Sequence, residues 1–232
     1  MWRAGVRTRR RDAERGMENG VLKVNEIYKA MLGESAFAGL PCAIVRLTGC
    51  NLRCAWCDTV YAYENGIEMS VEQALRAVRK LNLAPVLITG GEPLLQEPVY
   101  DLMNRLLDAG HSVLLETNGS ISIERVPGDA IVVLDLKCPG SGESHRNVYR
   151  NLDFISEPDN VKFVLRNRAD YEWAVSVFDE YELDSFCDVL FSPVYGELDP
   201  RELADWMLAD KIVARLSLQI HKILWGPDAR GK

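Results

Sequence analysis

Three cysteines lie within eight residues, in the segment Cys50-Asn51-Leu52-Arg53-Cys54-Ala55-Trp56-Cys57. Thiolates bind zinc and iron–sulfur clusters, and a closed zinc site or a four-cysteine cubane needs four protein ligands. The sequence holds no second Cys-x-x-Cys pair that would complete the set. Catalytic metal sites keep one position open for a substrate or cosubstrate. The spacing therefore predicts a metal centre with an open position.

The remaining cysteines, Cys42, Cys138 and Cys187, stand singly along the chain. Cys42 falls inside an apolar run, where a free cysteine behaves as a small buried hydrophobe. We interpret all three as core thiols. Because the chain shows no secretory signal, a disulfide framework is not expected.

Apolar runs that end in small polar motifs recur along the chain. Runs 41–47, 85–88, 112–115 and 130–134 end before Thr48-Gly49-Cys50, Thr89-Gly90-Gly91-Glu92-Pro93, Glu116-Thr117-Asn118-Gly119 and Asp135-Leu136-Lys137. Later runs span residues 161–165, 188–191 and 215–220, the last one before His221-Lys222. Short apolar runs bounded by turn residues predict buried strands.

Amphipathic helical stretches separate most of these runs. The capping-box pattern Ser70-Val71-Glu72-Gln73 opens one over residues 71–81, and others are predicted over 97–109, 169–181 and 200–209. Alternating strands and helices predict a parallel sheet with right-handed crossovers. About six or seven such units fit this length, whereas a full eightfold barrel takes about 250 residues. We therefore predict an α/β fold, a partial (β/α)6-type TIM barrel with its active site at the C-terminal strand ends; an open doubly wound sheet is the alternative.

Composition indicates a folded domain, because apolar residues make up 47% of the chain and charged residues 26%. We expect a single domain over residues 17–232. The first sixteen residues carry six arginines against Asp12 and Glu14. We expect residues 1–16 to be a disordered basic leader and assign it no function.

Charge and hydropathy exclude other classes of protein. The net charge is −7 and becomes more negative once the basic leader is set aside. An acidic body lacks the basic face that releases counterions from phosphates, so no nucleic-acid partner is expected. The chain has neither an apolar run of about 18 residues nor the apolar stretch of a secretory signal. We therefore expect no membrane association and a cytoplasmic location.

The cysteine spacing, with Trp56 just before the third cysteine, resembles the cluster motif of radical S-adenosylmethionine (SAM) enzymes. Gly90-Gly91-Glu92 resembles the turn that follows the second strand in the same enzymes. The resemblance implies that Cys50, Cys54 and Cys57 hold a 4Fe-4S cluster and that SAM occupies the open iron. The residues expected to bind SAM are Gly90, Gly91, Glu92, Asn118 and Ser141. Of these, Asn118 could instead cap a turn.

A longer resemblance runs from about residue 21 to residue 226. Segments 39–59, 89–96, 116–119, 135–142 and 218–222 are similar, in this order, to the 7-carboxy-7-deazaguanine synthase family of queuosine biosynthesis. Members convert 6-carboxy-5,6,7,8-tetrahydropterin to 7-carboxy-7-deazaguanine with loss of ammonia, as carbon–nitrogen lyases. The resemblance therefore implies a radical ring contraction of a pterin, with the 4Fe-4S cluster, SAM and Mg²⁺ as cofactors.

The same resemblance implies residues for the metal ion and the substrate. Thr59 is expected to bind Mg²⁺, and Arg46 to act in catalysis by offering a bidentate fork to the substrate carboxylate. The residues expected to bind the pterin are Gly33, Glu34, Arg46, Thr89, Glu116 and His221. Leu32 departs from the family, which usually has glutamine there, so we expect one polar contact to the heterocycle to be lost or moved.

Partners and alternative functions follow from weaker signals. A homodimer is implied by the resemblance alone. An electron donor such as flavodoxin or ferredoxin is expected because a low-potential cluster needs one. A glycyl-radical-enzyme activase stays open as an alternative, although Asp58-Thr59 and Gln219-Ile220-His221-Lys222 favour the synthase. A non-enzymatic iron–sulfur or zinc-binding module also stays open, since it needs only the cysteines.

Overall fold

The computed structural model describes residues 20–231, so the predicted basic leader, residues 1–16, lies outside the described residues. The strands and α-helices follow one another as β1 (Val21–Met31), β2 (Pro41–Leu47), β3 (Ile67–Ser70), α1 (Val71–Leu81), β4 (Pro85–Gly90), α2 (Val99–Asp108), β5 (Ser112–Thr117), β6 (Ile131–Asp135), β7 (Asn160–Leu165), α3 (Arg168–Glu180), β8 (Asp188–Pro193), α4 (Pro200–Asp210), β9 (Arg215–Leu216) and α5 (Ile220–Trp225).

One sheet of nine strands organises the fold, in the order β3-β1-β2-β4-β5-β6-β7-β8-β9. From β2 through β9 in this order, each strand pairs in parallel with the next. The strand β1 pairs antiparallel with both β2 and β3. Within the described residues the sheet stays open, with β3 and β9 at its edges. The prediction of an α/β partial barrel is confirmed, and the antiparallel edge is an addition to it.

Local signals place the helices close to their predicted positions. Ser70 accepts a hydrogen bond from the Gln73 backbone, and the Gln73 side chain accepts one from Ser70 N, which completes the predicted capping box. Asp199 caps α4 ahead of Pro200 in its first turn. The β5–β6 and β6–β7 connections, as described by the structure, hold turns and short 3-10 helices in place of an α-helix. The alternation of strand and helix is therefore incomplete on this side of the barrel.

The region after α4 differs from its prediction. A strand was expected over residues 215–220, but β9 is limited to Arg215–Leu216 and the chain then enters α5. Ile220 donates its backbone N–H to the Gly33 carbonyl at 3.1 Å, which holds the start of α5 against the loop after β1. The expectation that His221 follows a strand is therefore wrong, because this residue lies on a short helix.

The two faces of the strands enter different environments, as the period of two in a strand requires. On β2, Ala43 and Val45 pack into the large core that the sheet shares with the helices. Cys42 and Ile44 point to the opposite face and form a small cluster inside the barrel. Arg46 is next in the inward series, so the alternation that builds the core also aims this guanidinium into the barrel.

Two further sequence-based expectations bear on the interior. Cys42, Cys138 and Cys187 are buried, as predicted for core thiols. Leu32 packs into the small inner cluster, so this position makes an apolar contact where the glutamine usual in the family would offer a polar side chain. None of the helices within residues 20–231 combines the length and the apolar character needed to cross a lipid bilayer.

Candidate active site

A cavity of about 660 Å³ opens where the parallel strands end. Its walls come from the inward faces of the strands, the loop that carries the cysteines, the start of α5 and residues 227–230. Every predicted site residue lines this cavity except Glu92 and Ser141. The cysteine motif and the residues predicted to bind the pterin therefore share one space.

Cross-strand register explains why distant residues meet. Arg46 on β2 lies beside Thr89 on β4, and Asp135 on β6 lies beside Lys162 on β7. Glu116, the inward residue of β5, accepts a hydrogen bond from the Thr89 hydroxyl at 3.0 Å. Parallel pairing sets Arg46, Thr89 and Glu116 in one row, and the Asp135–Lys162 pair lies two residues further toward the C-terminal strand ends, because Glu116 pairs with Val133. The inward positions thus form a polar surface above the apolar interior.

The cysteine loop, residues 49–59, is held by backbone contacts on several sides. Glu92 N donates to the Gly49 carbonyl at 2.8 Å, and Ala55 N donates to the Ser141 carbonyl at 3.0 Å. Cys50 Sγ accepts from Leu52 N at 3.4 Å and faces the Asn118 amide at 3.8 Å. Cys50, Cys54 and Cys57 are half-buried free thiols. The loop therefore presents three thiols along one cavity wall.

These thiols fit a cluster. Among residues 20–231, no three His, Cys, Asp or Glu side chains gather around a point that could hold a single metal ion. In a cubane each thiolate binds a different iron, so the three sulfurs surround the cluster and need not meet at a single point. Burial raises the pKa of the Cys54 thiol to about 11, and a bound cation would reverse this by deprotonating the thiol outright.

The glycine pair after β4 is needed for a close backbone approach. A Cβ at Gly91 would lie 2.1 Å from the Gly49 carbonyl oxygen, and Gly90 has a φ of +150°. Both conditions exclude a side chain, because the first is a clash with backbone and the second is a conformation that L residues rarely adopt. The turn can therefore pack directly against the cysteine loop.

Glu92 does not line the cavity, and its predicted contact with SAM stays a prediction. Its side chain is fully buried and accepts hydrogen bonds from Leu94 N, the Thr117 hydroxyl and Asn118 N at 2.7 to 3.0 Å. Burial raises the pKa of this carboxyl to about 7. Glu92 thus ties the β4 turn to the end of β5, and its effect on the cavity is exerted through Asn118.

Ser141 is also absent from the cavity wall. It is buried, and its hydroxyl donates to the Cys138 carbonyl at 2.6 Å while accepting from Glu143 N at 3.1 Å. Its carbonyl binds Ala55 N in the cysteine loop. Its hydroxyl is thus used within the turn at residues 138–143 and its carbonyl braces the cysteine loop, so the predicted contact with SAM stays a prediction.

Arg46 lies in a network that the sequence did not predict. Its Nε donates to Glu26 at 2.7 Å, one Nη donates to the Tyr28 hydroxyl at 3.2 Å, and Tyr61 donates to the same Glu26 at 3.1 Å. A guanidinium has five N–H donors, so three stay available to a ligand. The network fixes the plane of the guanidinium and leaves its outer edge for a carboxylate.

A buried charge cluster also lines the cavity and consists of Glu34, Glu116, Asp135 and Lys162. The Lys162 ammonium lies 2.6 Å from Glu116, 3.3 Å from Glu34 and 3.4 Å from Asp135. Within the described residues, Glu34 Oε1 and Asp135 Oδ1 are buried and have no hydrogen-bond partner. Unpaired buried acceptors are costly, so these two oxygens are suited to N–H groups of a ligand.

Lys162 was missed by the sequence analysis, although a signal was present. The segment Val161-Lys162-Phe163-Val164 places one lysine inside an otherwise apolar run. Lysine is almost never fully buried unless it is paired, so a charge at this point of a predicted strand indicates buried carboxylates nearby. Lys137, the last residue of the motif Asp135-Leu136-Lys137, also lines the cavity and binds Asp135 at 3.0 Å.

Thr59 and its neighbour form a second oxygen-rich region. The Thr59 hydroxyl donates to Asp58 at 2.8 Å, which leaves its lone pairs directed elsewhere. Lys222 on α5 binds Asp58 at 2.5 Å. Burial would raise the pKa of Asp58, but Lys222 overcomes this and lowers it to about 2. A hydroxyl and a permanent carboxylate are hard donors and suit Mg²⁺, which binds few protein groups and completes its shell with water and substrate.

His221 and Gly33 touch across the cavity. A Cβ on Gly33 would lie 2.0 Å from His221 Nδ1, so only glycine allows the ring to take this position. Burial lowers the pKa of His221, and the adjacent Lys222 ammonium lowers it further. The imidazole is therefore held in its neutral form, in which one nitrogen donates and the other accepts a hydrogen bond.

Known proteins match this chain over most of its length. The model of the Radical SAM superfamily matches residues 44–127. The 7-carboxy-7-deazaguanine synthase of Koribacter versatilis is 42% identical and is matched over 90% of this chain and 100% of its own. That of Chlorobaculum tepidum is also 42% identical, over 90% of this chain and 97% of its own.

A solved structure shows the same fold. QueE from Escherichia coli superimposes with a TM-score of 0.71 at 22% identity, covering 85% of this chain and 93% of that one. At this identity the likeness concerns the fold, and the family rests on the closer relatives. Because those relatives are similar along nearly their whole length, and because the cavity gathers the motifs that suggested the resemblance, the chain belongs to the 7-carboxy-7-deazaguanine synthase family of radical SAM proteins.

Proposed function

We propose that this protein is a 7-carboxy-7-deazaguanine synthase of queuosine biosynthesis, a carbon–nitrogen lyase that contracts the ring of 6-carboxy-5,6,7,8-tetrahydropterin and releases ammonia. The observation that carries the proposal is the shared cavity, in which three thiols lie beside a guanidinium and a cluster of carboxylates. Its volume of about 660 Å³ is within the range of small-molecule sites.

Cys50, Cys54 and Cys57 would hold the 4Fe-4S cluster. Once bound together with SAM, that cluster supplies the one-electron reduction with which radical chemistry begins. The residues around it prepare the site. The Asn118 amide, 3.8 Å from Cys50 Sγ, can donate to a cluster ligand, and hydrogen bonds to such sulfurs tune the potential.

The substrate's two ends differ in charge, and the cavity offers a partner to each. Arg46 keeps three N–H donors for the carboxylate, and charge-assisted forked hydrogen bonds of this kind are strong. Burial raises the pKa of Glu116, yet Lys162 and the Thr89 hydroxyl bring it below its ordinary value, so this residue is a carboxylate. Glu116 and Glu34 can then accept N–H groups from the pyrimidinone edge of the pterin.

The apolar lining excludes water from the inner end of the cavity. Leu32, Ile44 and Leu87 line it beneath the polar layer. Leu32 occupies the position where the family usually has glutamine, and it extends this apolar surface. We propose that the heterocycle stacks its face there, while its edges reach the carboxylates.

Mg²⁺ would bind at Thr59, supported by Asp58. The Thr59 hydroxyl donates a hydrogen bond to Asp58, so a lone pair of Oγ1 is available to the ion. Mg²⁺ keeps several waters and binds substrate oxygens directly, so few protein ligands suffice. Lys222 holds Asp58 in place from α5.

The proposal is tested by a product assay. Protein reconstituted anaerobically with iron and sulfide is mixed with carboxytetrahydropterin, SAM, Mg²⁺ and a reductant. We expect 7-carboxy-7-deazaguanine, identified by mass spectrometry, and an equal amount of ammonia. If iron and sulfide analysis shows a loaded cluster and no product forms, the proposal is wrong.

Two variants separate the cysteine loop from the core thiols. Cys54→Ala removes a thiol of the cavity wall and should abolish product formation. Cys187→Ala removes a buried core thiol and should leave turnover close to that of the wild type. Equal loss in both variants would show that the effect reports folding and not the cluster.

The remaining expectations are kept as proposals on the strength of family resemblance. We propose that residues 17–232 form a single domain, that the enzyme works as a cytoplasmic homodimer, and that flavodoxin or ferredoxin reduces it. Light scattering at several protein concentrations tests the dimer. Turnover with each purified donor protein tests the reductant.

A further inference from the structure

Lys162 has an unusual environment for a lysine. It lies on β7 with only 3% of its surface exposed, and its ammonium faces three carboxylates. An isolated ammonium in such a place would lose its proton, because burial favours the neutral form. Burial does lower the pKa of Lys162, but Glu116, Glu34 and Asp135 together raise it well above its ordinary value. The lysine is therefore a permanent cation.

The carboxylates depend on the lysine in turn. Glu116 and Glu34 come from different parts of the chain, β5 and the loop after β1, and the same ammonium binds both. Without it, two buried carboxylates would face one another, and like charges in a shared site raise one of the two pKa values strongly. Burial already raises the pKa of Glu34 in the presence of the cation.

The same strand also anchors the loop that carries Glu34. Asn160, two residues before Lys162 and on the same face of β7, accepts a hydrogen bond from Ala36 N at 3.0 Å. The loop is thus fixed to β7 by a backbone contact and by an ion pair. This arrangement defines the distance between Glu34 and Glu116 across the cavity.

Other charged groups surround the cluster from neighbouring elements. Lys137 after β6 binds Asp135. The pKa of Glu116 is raised by burial, is lowered by Lys162 and the Thr89 hydroxyl, and is lowered to a smaller extent by Arg46 on β2. The remaining titratable groups that face the cluster are Asp58 in the cysteine loop and His221 on α5. Of the cations named here, Lys162 alone forms ion pairs with both Glu34 and Glu116.

We infer that Lys162 is a positioning residue, which holds Glu116 as an aimed carboxylate, with Glu34 beside it, so that the pair can accept the N–H groups of the heterocycle. This inference rests on the proposed function for the identity of the ligand. It extends that function, because the selectivity of the cavity for a guanidine-like edge then depends on Lys162. This lysine does not itself accept hydrogen bonds from that edge.

Binding of 6-carboxypterin provides the first test. This oxidised analogue keeps the carboxylate and the pyrimidinone edge and can be followed by its fluorescence in cluster-loaded protein. For Lys162→Met we expect affinity to fall about tenfold near neutral pH and to recover at higher pH, because Glu116 then needs a higher pH to ionise. Lys162→Arg keeps the charge, so its affinity for the analogue should depend on pH as that of the wild type does.

A double variant distinguishes electrostatics from packing. Glu34→Gln removes the second negative charge, so in the Lys162→Met background it should lower the pKa of Glu116. The affinity for 6-carboxypterin should then rise several-fold above that of Lys162→Met. Lys29→Met, which alters an exposed lysine on β1, is the matched control and should leave the affinity unchanged. A structural function alone predicts equal loss at every pH and no recovery in the double variant.

The second readout needs neither substrate nor cluster. Carbon-13 NMR of glutamate carboxyls follows the titration of Glu116 in the unloaded protein, with Glu116→Gln to assign the signal. We expect its midpoint to rise by about one unit or more in Lys162→Met. An unchanged midpoint overturns the inference whatever the enzyme's substrate is, whereas absence of pterin binding by the wild type, with a shifted midpoint, overturns the proposed function alone.

Discussion

Glu92 shows how a buried carboxyl after a glycine pair can organise the residues around it. Its carboxyl binds three groups on two different segments, and two of these, Thr117 and Asn118, belong to the end of β5 and the residue after it. Asn118 in turn faces Cys50. The acidic residue of the glycine-rich turn therefore sets the position of an amide beside the cysteine loop.

Glu92 should make stability depend on pH. Its pKa of about 7 in the folded protein exceeds the ordinary 4.5, so the folded state binds this proton more tightly than the unfolded chain. The contribution of this carboxyl to the free energy of unfolding is then highest below about pH 4.5 and falls as the pH rises to about 7. Glu92→Gln should remove this slope in urea titrations between these two pH values.

An exposed carboxylate provides the control for that measurement. Glu180 at the end of α3 is solvent-exposed, and Glu180→Gln should retain the wild-type slope. If Glu92→Gln also retains it, the buried carboxyl does not take up a proton in this range.

Gly33 is expected to be intolerant of any side chain. In Gly33→Ala the new methyl group would meet the His221 ring, so the imidazole must leave its position. We expect KM for the pterin to rise about tenfold or more, because small displacements of positioned groups are costly. In a His221→Ala background the ring is gone, and Gly33→Ala should then add nothing further to KM.

At the scale of elements, the C-terminal strand ends were predictable because polar motifs follow apolar runs in order. The strands β2, β4, β5 and β6 and the residues beyond them bring together Arg46, Thr89 and Glu116 as expected. The antiparallel strand β1 was not predicted. Its register shifts between Val24 and Glu26, so the side that faces the helices changes from even to odd residues along the strand.

That bulge explains two missed residues. Leu22 and Val24 face the large core, and beyond the shift Ile27 takes their side while Tyr28 faces the barrel interior. A period of two cannot be followed through an inserted residue, so neither Glu26 nor Tyr28 could be assigned to a face. His221 was misplaced for a different reason, because Leu218-Gln219-Ile220 alternates like a strand although the chain has already left the sheet.

For the Mg²⁺ site proposed at Thr59, the contact between α5 and the cysteine loop predicts that binding of the ion depends on Lys222. Lys222→Met removes the cation that holds Asp58, and Asp58 in turn accepts the Thr59 hydroxyl. Because Asp58 is partly exposed, we expect a moderate effect, about a fivefold rise in the Mg²⁺ concentration needed for half-maximal turnover.

The corresponding control alters a lysine far from the cavity. Lys80→Met, on an exposed position of α1, should leave the Mg²⁺ titration unchanged. A Lys222→Met enzyme with wild-type Mg²⁺ dependence would exclude Asp58 from the support of the ion.

At the scale of the whole molecule, the cavity is covered by residues from opposite regions of the sequence. Arg230 lies over the ring of Tyr61 at 4.2 Å, and Tyr61 donates to the carboxylate that also binds Arg46. The segment after α5 is thereby linked to the guanidinium on β2. Residues 227–230 form part of the cavity wall through this contact.

Arg230→Ala should weaken that cover without unfolding the protein. A cation–π contact at an accessible site contributes roughly 0.5–1 kcal/mol, so we expect KM for the pterin to rise about two- to fivefold. Arg230→Lys keeps a cation above the ring and should restore much of the loss. An unchanged KM in both variants would show that the segment does not contribute to substrate binding.

The position of residues 219–230 in the cavity wall has a consequence for the biogenesis of the enzyme. A chain emerges from the ribosome N-terminus first, so these residues leave it after every other residue that lines the cavity. The three cysteines are synthesised earlier, so residues 219–230 cannot cover them until then. Under the proposed function, the cluster would therefore have access to the cysteines before this wall forms, because the wall is complete only after residue 230 has been made.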